Sequence, residues 1–167
     1  MLSRLSPRTL GLALFSLCAA LLAFGLYLQH VKGIEPCPMC IMQRYAMAAC
    51  GLIGLIAGLH NPRGRSLYLY AGLLGLAALA GGGVAARQSW LQWFPPAVSE
   101  CGPGLEYMLE SFPLTAALPM IFRGAGDCSA IDWTFLGLSI ANWSFVVFAL
   151  ILAALASFLL QRRKQRA

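Results

Sequence analysis

Charge is scarce in this sequence. Only 11% of its 167 residues are Asp, Glu, Lys or Arg, about half the usual share of a soluble domain. A chain so poor in charge cannot clothe itself in water, so an ordinary soluble globular domain is excluded. Histidine is nearly absent as well, with His30 and His60 standing thirty positions apart. The chain also lacks a nucleotide-binding glycine loop, an iron–sulfur cysteine pattern and any basic patch interleaved with aromatics. Those absences leave nucleotide cofactors, iron–sulfur clusters and nucleic acid without a foothold.

What is present is long and apolar. Hydrophobic residues make up 59% of the chain, and four uncharged stretches can each cross about 30 Å of hydrocarbon. They are Thr9 to Gln29, Tyr45 to Pro62, Leu67 to Ala86, and Trp133 to Gln161, the last most apolar from about Ala141. Rich in Leu, Ala and Gly, they lack the strict alternation of a barrel strand. The expected fold is an all-α membrane protein, one domain over 1–167. Its four-transmembrane-helix bundle has spans at about 9–29, 43–61, 67–86 and 141–160. The first run exceeds a typical signal-peptide core, shows no small-residue cleavage pattern before Tyr27, and offers a poor lipoprotein site at Cys18 behind Leu17. It is expected to remain as an uncleaved first helix.

Lys and Arg counts give the orientation. Arg4, Arg8, Arg63, Arg65, Arg162, Arg163, Lys164 and Arg166 fall on one side, eight of the twelve basic residues. All six acids fall in the other two loops, with Lys32, Arg87 and Arg123. Both termini are thus expected in the cytoplasm, and the outer loops at about 30–42 and 87–140. The net charge of +6 is mainly a topology signal, and no nucleic-acid partner is expected. The long outer loop between helices 3 and 4 carries Trp90, Trp93 and Phe94 just past the third span, a place for headgroup anchors. Its middle, "LEYMLESFPLTAALPMIF", reads equally as a surface amphipathic helix or as loop packed on the bundle.

Topology sorts the six cysteines. Cys18 and Cys50 lie within spans, where apolar packing is their expected role. Cys37, Cys40, Cys101 and Cys128 lie outside, where an oxidising compartment favours two disulfides. Pairing by loop is the simplest of three connectivities. Zinc usually draws on two close cysteine pairs, and only Cys37 and Cys40 are close. Ile41 follows Cys40, so the haem-attachment motif fails. No metal is expected.

Two readings of "EPCPMCIMQR" remain, a passive staple and a redox pair. A bridge across two residues closes too small a ring to constrain the unfolded chain much. Pro36 and Pro38 restrict the backbone around Cys37, and the pair sits where a helix N-terminus favours a thiolate. Redox exchange is therefore preferred. Arg44 lies i+4 from Cys40, on the same helix face about 6 Å along the axis. It reads either as an interfacial cation snorkelling to the headgroups or as a fixed charge for a Cys40 thiolate or a bound acceptor's oxygen. With other acceptors lacking, a lipid-soluble quinone fits by elimination.

These residues resemble the bacterial DsbB family of disulfide-forming membrane proteins. The resemblance rests on the CxxC in the first outer loop, Arg44 four residues later, and the wide pair Cys101 and Cys128. "RQSWLQWFPP" before Cys101 and "GDCSAIDWTFLGLSIANW" leading into the last span extend it along the chain. It implies an inner-membrane enzyme that reoxidises a DsbA-like periplasmic thiol oxidase and passes electrons to ubiquinone or menaquinone. Cys101 would be attacked by the partner, Cys128 would exchange with Cys37, and Cys40 would face the quinone beside Arg44. Some family members carry a histidine after the arginine that ends the third span; here Gln88 follows Arg87. Gln88 can hydrogen-bond a quinone oxygen but cannot deliver a proton as imidazolium does, and it also reads as a plain interfacial polar residue. Two alternatives stand beside this one. A vitamin K epoxide reductase-like protein shares the helix count and CxxC, although in that family the CxxC lies late in the core. A non-catalytic scaffold with two structural disulfides is the other.

Overall fold

The computed structural model describes residues 6–95 and 133–164, with residues 111, 113 and 131 between them. Cys101, Cys128 and most of the "LEYMLESFPLTAALPMIF" segment lie outside the described residues. Among those described are four long helices: α1 (Pro7–His30), α2 (Pro38–His60), α3 (Arg65–Trp93) and α4 (Ile140–Lys164). The shortest has 23 residues, which at 1.5 Å per residue reaches about 34 Å, enough to cross a bilayer. All four are apolar enough to do so. The chain is an all-α membrane protein, as its composition implies.

The helices pack in chain order, α1 on α2, α2 on α3, and α3 on α4. Cys18 of α1, Met47 and Cys50 of α2, Ala78 and Ala85 of α3, and Phe148 and Ile151 of α4 form the core. Cys18 and Cys50 are fully buried, in keeping with an apolar packing role. Lipid tails are as apolar as leucine, so helices in a membrane associate through close packing rather than exclusion from water. The α1–α2 crossing depends on this. A Cβ at Gly11 would come within 2.5 Å of the Gly54 carbonyl oxygen and 2.8 Å of the Gly58 amide nitrogen. Across the bundle, the fully buried Phe148 ring occupies the place a Cβ on Gly81 would need.

Three boundaries differ from the sequence expectation, each for a local reason. Helix α2 begins at Pro38 rather than near 43. Proline is well suited to a first helical position, and Cys37 serves as N-cap. Helix α3 continues to Trp93, about two turns past 86, so Trp90 and Trp93 are helical rather than part of a loop. Nothing in "RQSWLQW" breaks a helix before Pro95, and Val84, Ala85, Gln88 and Leu91 form one buried stripe. Finally, the end of the expected outer loop holds a small antiparallel hairpin, β1 (Thr134–Phe135) with β2 (Leu138–Ser139). Its two turn residues, Leu136 and Gly137, both have positive φ (52° and 76°), as two-residue hairpin loops commonly require.

The hairpin is tied down at both ends. Ser139 Oγ accepts from the Asn142 amide at 3.3 Å, capping the first turn of α4, and donates to Gln92 Oε1 of α3 at 2.5 Å. Trp143 Nε1 donates to the Phe135 carbonyl at 3.0 Å. Trp133 meets Phe24 of α1 edge-on, with centroids 5.6 Å apart. The hairpin thereby bridges α1, α3 and α4 at the Cys37 end of the bundle.

Candidate functional site

Sequence dictates the geometry at the start of α2. Pro36 and Pro38 restrict the backbone around Cys37, which is extended (φ −65°, ψ 162°) and caps the helix. The Cys37 sulfur accepts the Cys40 backbone N–H at 3.3 Å, a bond that a Ser or Asp oxygen makes in most N-caps. Cys40 lies in the first turn, where unpaired amides and the helix dipole favour negative charge. The two sulfurs are 3.1 Å apart, with Cys37 donating to Cys40. Cys37 is buried and Cys40 partly so.

Gln88 closes over the pair from α3. Its Nε2 lies 3.2 Å from the Cys37 sulfur and 3.2 Å from the Cys40 sulfur. A buried amide N–H₂ aimed at two sulfurs is suited to stabilising a thiolate on either. Its carbonyl oxygen is 3.6 Å from the Cys40 sulfur and accepts Gln43 Nε2 at 2.6 Å. Gln88 and Gln43 are 2% and 4% exposed, so this amide pair sits away from water. The extension of α3 past residue 86 is what brings Gln88 here.

Arg44 does not reach out along the lipid face. Its Nη1 donates to Gln29 Oε1 at 2.5 Å and its Nη2 to the Gly25 carbonyl at 3.0 Å, both on α1. A half-buried guanidinium held by two acceptors on the neighbouring helix is a fixed positive charge, and these two bonds use only two of its five N–H donors.

The Cys37–Cys40 pair, Gln88, Gln43 and Arg44 all border one cavity of about 610 Å³. Leu21, Phe24 and Leu28 of α1, the hairpin, and Val147 of α4 wall it with apolar surface. Small-molecule sites typically have this character, mostly apolar with a few placed polar groups. A flat, lipid-soluble ring with two carbonyl oxygens suits it: apolar walls for the ring, cationic or amide N–H donors for the oxygens, and a sulfur beside them. The donor set thus fits a quinone. No group of three metal-ligating side chains occurs among the described residues.

Of the six expected site residues, four converge here: Cys37, Cys40, Arg44 and Gln88. Gln43 is an addition that sequence reading missed. A glutamine three residues past Cys40 and four before the buried Met47 was its one available signal. The hairpin was missed too, although Leu136–Gly137 between Thr-Phe and Leu-Ser has the length and glycine of a tight turn.

Four membrane-crossing helices with a capped dithiol facing an apolar cavity define a class, the multi-pass membrane dithiol oxidoreductases. Residues 7–158 match the family model described as "Disulfide bond formation protein DsbB". The curated protein "Disulfide bond formation protein B" of Azoarcus sp. (strain BH72) is 71% identical over 159 residues, 95% of each chain. Proteins of the same description from Aromatoleum aromaticum and Polaromonas naphthalenivorans are 61% and 55% identical, covering 95% and 96% of each chain. The chain belongs to the DsbB family. It is a multi-pass inner-membrane oxidoreductase of disulfide bond formation.

Proposed function

We propose that the protein reoxidises a DsbA-like periplasmic thiol oxidase and delivers the electrons to ubiquinone or menaquinone held in the cavity beside Cys40. Cys101 forms the mixed disulfide with the reduced partner, and the partner's second thiol resolves it, leaving Cys101 and Cys128 reduced. Those two thiols then exchange with the Cys37–Cys40 disulfide, which becomes a dithiol. Two partner thiols have become one disulfide, and two electrons with two protons now reside on Cys37 and Cys40. A quinone held in this cavity would supply the sink for those two electrons and two protons.

The chain's own groups have definite tasks in this scheme. Cys40, in the first turn of α2, holds the sulfur toward the cavity. Gln88 stabilises its thiolate form through Nε2. Arg44 directs positive charge at the oxygen where negative charge develops, and preorganised charge of this kind strengthens as water is excluded. Both termini lie in the cytoplasm, so the cysteines face the periplasm.

One observation carries the reading: Cys40, Gln88 and Arg44 share a single apolar cavity. The test is turnover of purified full-length protein in lipid nanodiscs with reduced DsbA-like protein and ubiquinone. One quinol per dithiol oxidised is expected. Absence of quinol, with both disulfides intact at the start, would leave the four cysteines as structural staples.

A further inference from the structure

We propose that Gln43 is a positioning residue that fixes which end of the Gln88 amide faces the Cys37 and Cys40 sulfurs. A glutamine side chain is nearly symmetric in shape but opposite in hydrogen-bonding sense at its two ends. With N–H₂ toward the sulfurs, Gln88 stabilises a thiolate. With C=O toward them, it accepts from a thiol S–H and opposes ionisation. Both arrangements are sterically within reach, since Nε2 and Oε1 of Gln88 are 3.2 Å and 3.6 Å from the Cys40 sulfur.

Gln43 decides between them. Its Nε2 donates to Gln88 Oε1 at 2.6 Å, and a flipped Gln88 would set two N–H₂ groups against each other in a site closed to water. A buried donor left facing a donor costs the full desolvation of an unmade bond. The lock is therefore strong where both residues are buried, at 4% and 2% exposure. Gln43 Oε1 itself has no partner, so the bond to Gln88 is what ties the two amides into one unit. Spacing reinforces the assignment: Gln43 lies one helical turn from Cys40, on the flank of α2 that meets α3, while Arg44 turns to α1.

The consequence is a redox pair poised by a neutral relay, Gln43 to Gln88 to sulfur, that does not titrate. Of the other described groups lining the cavity, Glu35 and Arg44 carry charge, and both come from α2 or the segment before it. The lining residues of α1, α3, the hairpin and α4 include no acid, base or further thiol. Removing the Gln43 amide thus changes hydrogen-bond sense without changing charge.

The proposal rests on Cys40 acting as a thiolate, yet its test needs no quinone. Full-length protein in nanodiscs is reduced and alkylated with iodoacetamide at fixed neutral pH, and the rate at Cys40 is read by mass spectrometry. Gln43→Leu and Gln43→Met should each slow alkylation by roughly tenfold, the scale of one hydrogen bond to a charged group. In a Gln88→Ala background the same substitutions should change the rate less than twofold, since the amide they orient is gone. Thermal unfolding in the same nanodiscs identifies the variant that remains folded, and either one suffices. Wild-type alkylation rates in a folded Gln43 variant would overturn the proposal, as would slowing that persists undiminished without Gln88. A protein that makes no quinol but shows the cycle keeps the relay and loses the quinone reading. The reverse pattern does the opposite.

Discussion

Two cavities among the described residues of the bundle differ in kind. One, about 610 Å³, lies at the Cys37 end and is bordered by two cysteines, three glutamines and an arginine. The other, about 450 Å³, lies toward the His60 end and is lined almost wholly by apolar residues such as Leu10, Leu14, Ala154 and Leu155. Both have greasy walls and room for a ring. What separates them is backbone geometry: at the first cavity a helix begins, and its exposed amides and dipole favour an ionised sulfur. The comparison teaches that volume and apolarity make space, while helix ends and buried amides make chemistry.

The sharpest way to break that contrast is at the sulfurs. Cys40→Ser should abolish quinol formation, a loss of at least a thousandfold, measured as quinone reduction by the reduced partner. Cys50→Ser, in the core between the cavities, should keep turnover within about threefold while lowering the unfolding temperature by a few degrees. Next comes the charge. Arg44→Ala should raise the apparent KM for quinone by about ten- to hundredfold, the scale of a hydrogen bond to an ionised group. Arg44→Lys should recover only part, because an ammonium cannot hold Gln29 and the Gly25 carbonyl together in the same fork.

Packing predictions follow with smaller effects on activity. Gly81→Leu should destabilise the bundle by about 1–3 kcal/mol or more, since Phe148 must leave its seat; thermal unfolding checks this. The smallest effect is expected at the far cavity. Ala154→Leu, which partly fills it, should leave quinone KM within about twofold of wild type. A large rise there would make the two cavities alike in function and dissolve the contrast.

Much of the molecule was legible in its residues. Spans are compositional, so Thr9–Gln29 and its counterparts stand out without any contact being known. Arg44 was legible because i+4 spacing is local: it places the residue on the Cys40 face whatever else the chain does. Gln88 was singled out only through the resemblance, as a possible hydrogen-bond donor to a quinone oxygen; its contacts with the sulfurs and Gln43 were not legible, because those partners stand 45 and 48 positions away on α2. Its role depends on α3 running on to Trp93, and uncharged length alone ended that span at Ala86. Gln43 was hidden for the same reason. A polar side chain in an apolar helix announces that a partner exists, not where it is. The placing of Cys101 and Cys128 on the side of the CxxC, like their pairing, belongs to the proposal.

The central claim is that electrons leave the chain at the Cys37 end. Photolabelling with an azido-ubiquinone in nanodiscs, followed by peptide mapping, tests it most directly. Label on the segments holding Leu21 to Leu28, Cys40 to Met47 or Ser139 to Trp143 is the result this account predicts. Label confined to Leu10 to Leu14 and Ala154 to Phe158, around the His60-end cavity, would contradict it.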